Sequence, residues 1–194
     1  MAAVWNAAHA PDPTRFLKEL QTGWRRAARA ARRLLPRRGT IVTLSYSATV
    51  LESLRGIRGR VVVAESLPGG EGARTAARLR AARTAATVVP DATLSQWAAT
   101  ADAVVLGADA VTRRGVINKV GSRLLALAAR AERTPCYVIA DTSKFALRTS
   151  RFPLPVLGAD DLFEYVEFGL IRRVVTERGP LTGPQVLRRL RAPF

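Results

Sequence analysis

Between Val104 and Gly121 the chain reads VVLGADAVTRRGVINKVG, and Asp109, Asn118 and Lys119 within it bring a carboxylate, an amide and an ammonium close together in sequence. An apolar run ending at Leu106 leads into Gly107-Ala108-Asp109. A short turn is expected next, and then Asn118, Lys119 and Gly121 at the start of an Ala/Leu-rich helical pattern. A buried strand would deliver all three side chains to one sheet edge, where α/β folds hold small phosphorylated ligands. Sugar-phosphate binding or chemistry fits this set. Asp109 could move a proton between adjacent sugar carbons in a pocket that raises its pKa. Asn118 could bond hydroxyls, and Lys119 could neutralise phosphate. Plainer roles stay open: a turn cap for Asp109, and loop surface for Asn118 and Lys119.

Further polar groups precede this block. Ser45, Tyr46, Ser47 and Thr49 open a helical stretch, where backbone N–H groups favour phosphate and Ser47 could add a hydroxyl; Ser45 or Ser47 could equally be a plain N-cap. The segment PGGEGART supplies flexible glycines with Arg74 and Thr75 at a helix start, and Lys144 lies in DTSKF after another apolar run. The glycines do not match the dinucleotide fingerprint and no Walker motif occurs, so neither NAD nor ATP is expected as a dedicated cofactor. His9 is the sole histidine and lies outside the alternating pattern, which argues against a Ser-His-Asp hydrolase. The one cysteine, Cys136, excludes an internal disulfide and a cysteine-rich zinc site, and reads as a buried small apolar side chain. No metal site is expected.

The elements that must position these groups follow from the apolar pattern. Pro11 to Thr14 precede a helix that carries Phe16, Leu17, Leu20, Trp24, Ala27, Ala28, Ala31, Leu34 and Leu35 at helical spacing until Pro36 stops it; arginines cover its other side. From Gly39 onward, strands and helices alternate. Strands are expected at 40–44, 60–65, 86–90, 103–106 and 136–140, with helices at 45–56, 71–82 and 122–133 and a short helical turn at 94–99. Uninterrupted Val/Ile strands between amphipathic helices imply a mostly parallel sheet covered on both faces. The expected fold is α/β, a Rossmann-like three-layer sandwich preceded by one basic N-terminal helix. The expected division is a helical segment, 1–38, and an α/β domain, 39–194. Right-handed crossovers then bring Ser45, Glu65, Asp91, Asp109 and Asp141 to the carboxyl edge of the sheet. The tail from Asp160 carries short apolar turns and a helical start at Thr182-Gly183-Pro184.

With 194 residues, 48% of them hydrophobic, the chain can bury one sizeable core and is short for two domains. No apolar run is long enough to span a bilayer, and the start does not read as a secretory signal, so a cytoplasmic protein without membrane contact is expected. The net charge is +16, carried by 28 arginines and only three lysines. Such a chain attracts polyanions in a salt-sensitive way. Few aromatics and no recognisable RNA-binding motif leave nucleic-acid contact weak and charge-driven.

The pieces TIVTLSYSATVLESL, VVVAESLPGGEGART, VVLGADAVTRRGVINKVGS, YVIADTSKF and VVTERGPLTGPQV, in order from Thr40 to about Val186, resemble a known family. It unites the alpha, beta and delta subunits of translation initiation factor 2B with sugar-phosphate isomerases acting on methylthioribose 1-phosphate or ribose 1,5-bisphosphate. Helix 12–35 looks like the last part of that family's helical N-terminal domain. In the isomerases a cysteine beyond the first strand and the aspartate of the GAD block carry the acid–base chemistry, which the resemblance maps onto Ser45 and Asp109. Serine is a far poorer proton donor than cysteine at neutral pH. Leu67 stands where the isomerases usually place an arginine, and the N-terminal phosphate-binding Arg-Gly segment has no counterpart. Phosphate contacts would then rest on Arg74, Asn118 and Lys119, with Gly121 shaping the backbone. The resemblance implies a shortened factor-2B-like domain binding a sugar phosphate or nucleotide with weak or no catalysis. An aldose–ketose isomerase and a non-catalytic interaction protein are the alternatives. It further implies a homodimer through the α/β domain, with protein partners possible.

Overall fold

The structure, a computed structural model, describes residues 13–146 and 162–191. The expected helix start at Pro11 and Asp12 lies outside these residues, as do His9 and the side chains of Phe16 and Leu17. Helix α1 (Pro13–Arg32) leads into strand β1 (Thr40–Thr43), helix α2 (Ala48–Leu54), β2 (Arg60–Ala64), α3 (Glu71–Ala81) and β3 (Ala85–Val89). Then come α4 (Leu94–Thr100), β4 (Ala103–Leu106), β5 (Ala110–Thr112), β6 (Gly115–Lys119), α5 (Ser122–Ala131) and β7 (Cys136–Ile139). The described chain closes with β8 (Phe163–Val166), β9 (Arg173–Thr176), β10 (Gly179–Leu181) and α6 (Gly183–Arg189).

Seven strands form the main sheet in the order β10-β9-β7-β4-β1-β2-β3, all parallel except β10, which turns back antiparallel to β9. Leaving β10 aside, this is the doubly wound order, with its reversal between β1 and β4. The period-two alternation of the strands builds two cores. Ile41, Val61, Val63, Val105, Ile139 and Val175 face Ala27, Ala31, Val50, Leu54, Ala76 and Leu79 of α1, α2 and α3. Val42, Val62, Val104, Leu106, Val138 and Val174 face Leu94, Ala98, Leu125, Ala126, Ala129 and Val186 of α4, α5 and α6. Strands buried on both faces read as continuous apolar runs, which is why they stand out in the sequence.

Helix α1 is amphipathic: Ala27, Ala28, Ala31 and, just beyond its end, Leu35 are buried, whereas Arg25, Arg26, Arg29 and Arg33 are exposed. Alanine on the packed side lets it approach α2 and β9 closely, so α1 forms part of the sandwich layer on that face. Arg32 anchors it by donating to the Glu52 carbonyl (Nε–O 3.0 Å) and pairing with the Glu52 carboxylate at 3.2 Å.

Two expectations need correction. The stretch 110–119 is a β-hairpin rather than a short turn, and it pairs antiparallel with β8 in a second, three-stranded sheet, β5-β6-β8. The tail also supplies strands: β8 to the small sheet, β9 and β10 to the main one. Its helical start stands where expected, with Thr182 and Gln185 forming a capping box around the first turn of α6.

Candidate functional site

A cavity of about 430 Å³ opens at the carboxyl ends of β1, β4 and β7, against the point where the strand order reverses. Its lining includes Ser45 and Ser47 after β1, Gly107 and Asp109 after β4, Asp141 and Lys144 after β7, and Asn118 from β6. Leu20, Gln21 and Trp24 of α1 close the remaining side with a mostly apolar wall. Diffusion into such a crevice brings a small ligand against groups from five separate chain segments.

Ser45 has φ 60°, a left-handed conformation that an L side chain adopts at a cost. Its neighbours hold it there. The Ser45 N–H donates to Ser66 Oγ at 2.6 Å, and Thr75 Oγ1 donates to the Ser45 carbonyl at 2.7 Å. Ser66 is itself buried and at φ 65°; its N–H and that of Leu67 donate to the two Asp91 carboxylate oxygens, both at 2.8 Å. A chain of contacts from three strand ends thus fixes a hydroxyl at the cavity edge. Ser47 caps α2, its Oγ accepting from the Val50 N–H at 3.3 Å.

The hairpin explains how Asp109 and Asn118 meet. The Asp109 N–H donates to the Ile117 carbonyl at 2.8 Å, so residues nine apart in sequence become neighbours. Asn118 Nδ2 donates to Ser122 Oγ at 2.8 Å, and that hydroxyl spends its own proton on the Lys119 carbonyl at 2.6 Å. The amide must therefore meet Ser122 as donor, which leaves its Oδ1 on the Gly107 side. Gly107 is needed for this assembly, because a Cβ there would meet Ser47 Cβ at 2.9 Å and Ser47 Oγ at 3.0 Å. Asp141 is buried, accepts from the Ser143 N–H at 3.1 Å and from the Ser143 hydroxyl, and so caps the turn that carries Lys144. Among the described residues, neither the Asp109 carboxylate nor the Lys144 ammonium has a hydrogen-bond or ionic partner. A ligand could thus take both a proton acceptor and a cation.

The structure brings Ser45, Ser47, Asp109, Asn118 and Lys144 to this cavity and leaves Arg74, Thr75, Lys119 and Gly121 outside its lining. Arg74 lies over the Tyr46 ring, 4.3 Å from its centroid, one residue behind the wall. Thr75 is occupied with the Ser45 carbonyl. Lys119, 4% exposed, alternates to the other face of β6 and pairs with Glu71 at 3.1 Å. Gly121, at φ 95°, is the N-cap residue of α5. Asp141 lines the cavity from the carboxyl edge where the sequence places it, although no ligand role is expected of it, and the α1 residues carry no such expectation. A carboxylate two residues beyond a strand end is a detectable signal, but nothing in α1 announces which turn faces the cavity. Cys136 is sealed in the core, and burial pushes its thiol up to about 12, so no thiolate forms there at neutral pH. Among the described residues, no group of three or more His, Cys, Asp or Glu is placed to hold a metal ion.

Fold and cavity define a class: a doubly wound α/β protein with a small-ligand crevice at the strand-order reversal. Within that class, the chain belongs to the initiation factor 2 subunit family, whose model matches residues 12–162. A translation initiation factor eIF-2B subunit 2-like protein of Pyrococcus horikoshii is 30% identical over 186 residues, covering 88% of this chain and 67% of its own length. The ribose 1,5-bisphosphate isomerase of Archaeoglobus fulgidus is 30% identical over 171 residues, covering 85% of this chain and 55% of the isomerase. The crystal structure of the Pyrococcus horikoshii OT3 translation initiation factor eIF-2B superposes with a TM-score of 0.86 at 28% identity, over 96% of this chain and 78% of that one.

Proposed function

We propose that the cavity binds a small phosphorylated sugar or nucleotide, and that the chain is a factor-2B-like binding domain with weak or no catalysis. The observation that carries this is the convergence of Ser45, Ser47, Asp109, Asn118 and Lys144 on one crevice. Asp109 and Asn118 Oδ1 accept from ligand hydroxyls, Ser47 offers a hydroxyl, and Lys144 neutralises one phosphoryl group. The two carboxylates, Asp109 and Asp141, set a limit: they favour a ligand with several hydroxyls and one phosphate over a densely anionic one.

A second reading, aldose–ketose isomerisation, is favoured by the strained backbone of Ser45 beside a free Asp109. Asp109 would take the proton from one sugar carbon and return it to the next, with Ser45 or water relaying the hydroxyl proton. An alcohol does this poorly, since it stays protonated at neutral pH.

Calorimetry and NMR of the purified protein with ribose 1,5-bisphosphate, methylthioribose 1-phosphate and AMP separate the readings. Binding without ketose formation is expected, with Asp109→Asn weakening it. If slow turnover occurs, Asp109→Asn should lower it by about 10²–10⁴-fold, and Ser45→Cys should raise it. No binding to any of the three would overturn the assignment and leave an interaction role.

We also propose that two copies pair through the face formed by Val120, Leu124, Leu127 and Leu162, which are 36%, 56%, 40% and 41% exposed. The Val120 N–H donates to the Leu162 carbonyl at 2.9 Å, which sets these two residues side by side just before α5 and β8, and Leu124 and Leu127 follow three residues apart on the exposed side of α5. Exposed apolar residues grouped this way mark contact surfaces, and a two-fold axis through α5 would set like against like.

A further inference from the structure

The positive charge of this protein is not spread evenly. In a parallel sheet all strand starts lie at one edge, and here nearly every start is preceded by arginine: Arg37 and Arg38 before β1, Arg58 before β2, Arg83 before β3, Arg133 before β7 and Arg172 before β9. All six are exposed. Backbone contacts tie the row together. The Arg58 N–H donates to the Arg37 carbonyl at 3.0 Å, and the Arg172 N–H to the Cys136 carbonyl at 2.8 Å. The opposite edge has the reverse character, with Glu65, Asp91, Asp109, Asp141 and Glu177 following the strand ends.

Two of the six also sit where arginine is disfavoured. Arg83 and Arg133 have φ of 59° and 60°, left-handed positions beyond helix ends that ordinarily favour glycine. Asp102 and Glu132 are the acids next to the strand starts, and Asp102 is occupied by the Thr40 N–H at 2.7 Å; Glu52, near the end of α2, is paired with Arg32 and Arg55.

We propose that this arginine-lined edge, at the far end of the sheet from the cavity, docks the phosphodiester backbone of a nucleic acid without reading its sequence. From β3 to β9 the row crosses five strand spacings, about 24 Å. That is about seven base-pair steps of a duplex, far more than a small anion occupies. Guanidinium groups suit phosphate oxygens, which they can bond in pairs. Trp97 already carries Arg60 over its ring at 4.9 Å, so that ring is not open to base stacking, and the proposed mode is backbone contact. An anionic membrane would call for an apolar face to insert, and among the described residues this edge offers only an isolated exposed leucine, Leu34.

The test compares two triple variants of equal net charge. Arg37→Glu/Arg58→Glu/Arg172→Glu alters the arginine edge, whereas Arg113→Glu/Arg114→Glu/Arg178→Glu alters exposed arginines of turns at the opposite edge. Fluorescence anisotropy with two unrelated labelled 20-base-pair duplexes, one RNA and one DNA, is read from 50 to 300 mM salt, after circular dichroism confirms folding of all three proteins. The wild-type chain should bind both duplexes, with affinity falling steeply in salt. The edge triple should weaken binding by at least about tenfold at 100 mM and flatten the log–log salt slope by about 2–3, while the control triple stays within about twofold. Equal losses in both triples would reduce the effect to overall charge and overturn the proposal. So would tighter binding to phosphatidylserine vesicles than to either duplex, or no binding at 50 mM salt. Should the edge triple fail to fold, the single variants Arg37→Ala and Arg58→Ala, each flattening the slope by about 1, carry the same decision.

Discussion

Gly107 shows how little room separates the site's parts. Its missing side chain lets the loop after β1 lie against the loop after β4, and an added Cβ would press on Ser47 at 2.9 Å from backbone-anchored atoms. Gly107→Ala is therefore expected to cost about 1–3 kcal/mol in denaturant unfolding, because neither loop can retreat without losing a cap or a strand end. It should also weaken sugar-phosphate binding by displacing Ser47 and Asp109. Unchanged stability with unchanged binding would mean that the two loops are free to separate. Asp109 and Asn118 were legible as a pair from residue type alone. Lys119 was legible as a cation but not as the partner of Glu71, since adjacent residues on a strand face opposite ways and only the pairing of β6 decides which one meets the cavity.

At the scale of elements, Asp91 joins β2 to β3 across their carboxyl ends. Both oxygens serve the turn that holds Ser66, which in turn holds Ser45. Asp91→Ala strands two backbone donors and is expected to lower stability by about 1–3 kcal/mol. Ligand affinity should fall with it, although Asp91 does not line the cavity; intact affinity in the folded variant would show that Ser45 keeps its conformation unaided. Five of the parallel strands and the helices between them could be read from their apolar runs. The hairpin β5–β6 could not. Its strands are three and five residues long and buried throughout, so neither length nor alternation separates them from a loop. Strand β9, four residues in a tail of turns, escaped for the same reason.

At the scale of the whole molecule, acids gather at one edge, arginines at the other, and an apolar patch interrupts one flank. Leu124 is the most exposed of the four patch residues, and Leu124→Arg would place a charge at its centre. Sedimentation equilibrium should find the wild-type chain at twice its 21.0 kDa mass. The variant should self-associate about thirtyfold more weakly, the equivalent of about 2 kcal/mol at a central contact. A wild-type protein that sediments as a monomer at 100 µM would remove the patch as a dimer surface.

The amino-acid sequence by itself determined the fold class, the order of the central elements and most of the polar groups that reach the cavity. These follow from local pattern, because a strand buried on both faces and an amphipathic helix each carry their signature in a short window. Only the tertiary structure decided which cations stay available to a ligand. Arg74 and Lys119 look equivalent to Lys144 along the chain, yet one lies on Tyr46 and another is paired with Glu71. Such pairings depend on strand register and on contacts between residues up to 48 positions apart, which no local window contains.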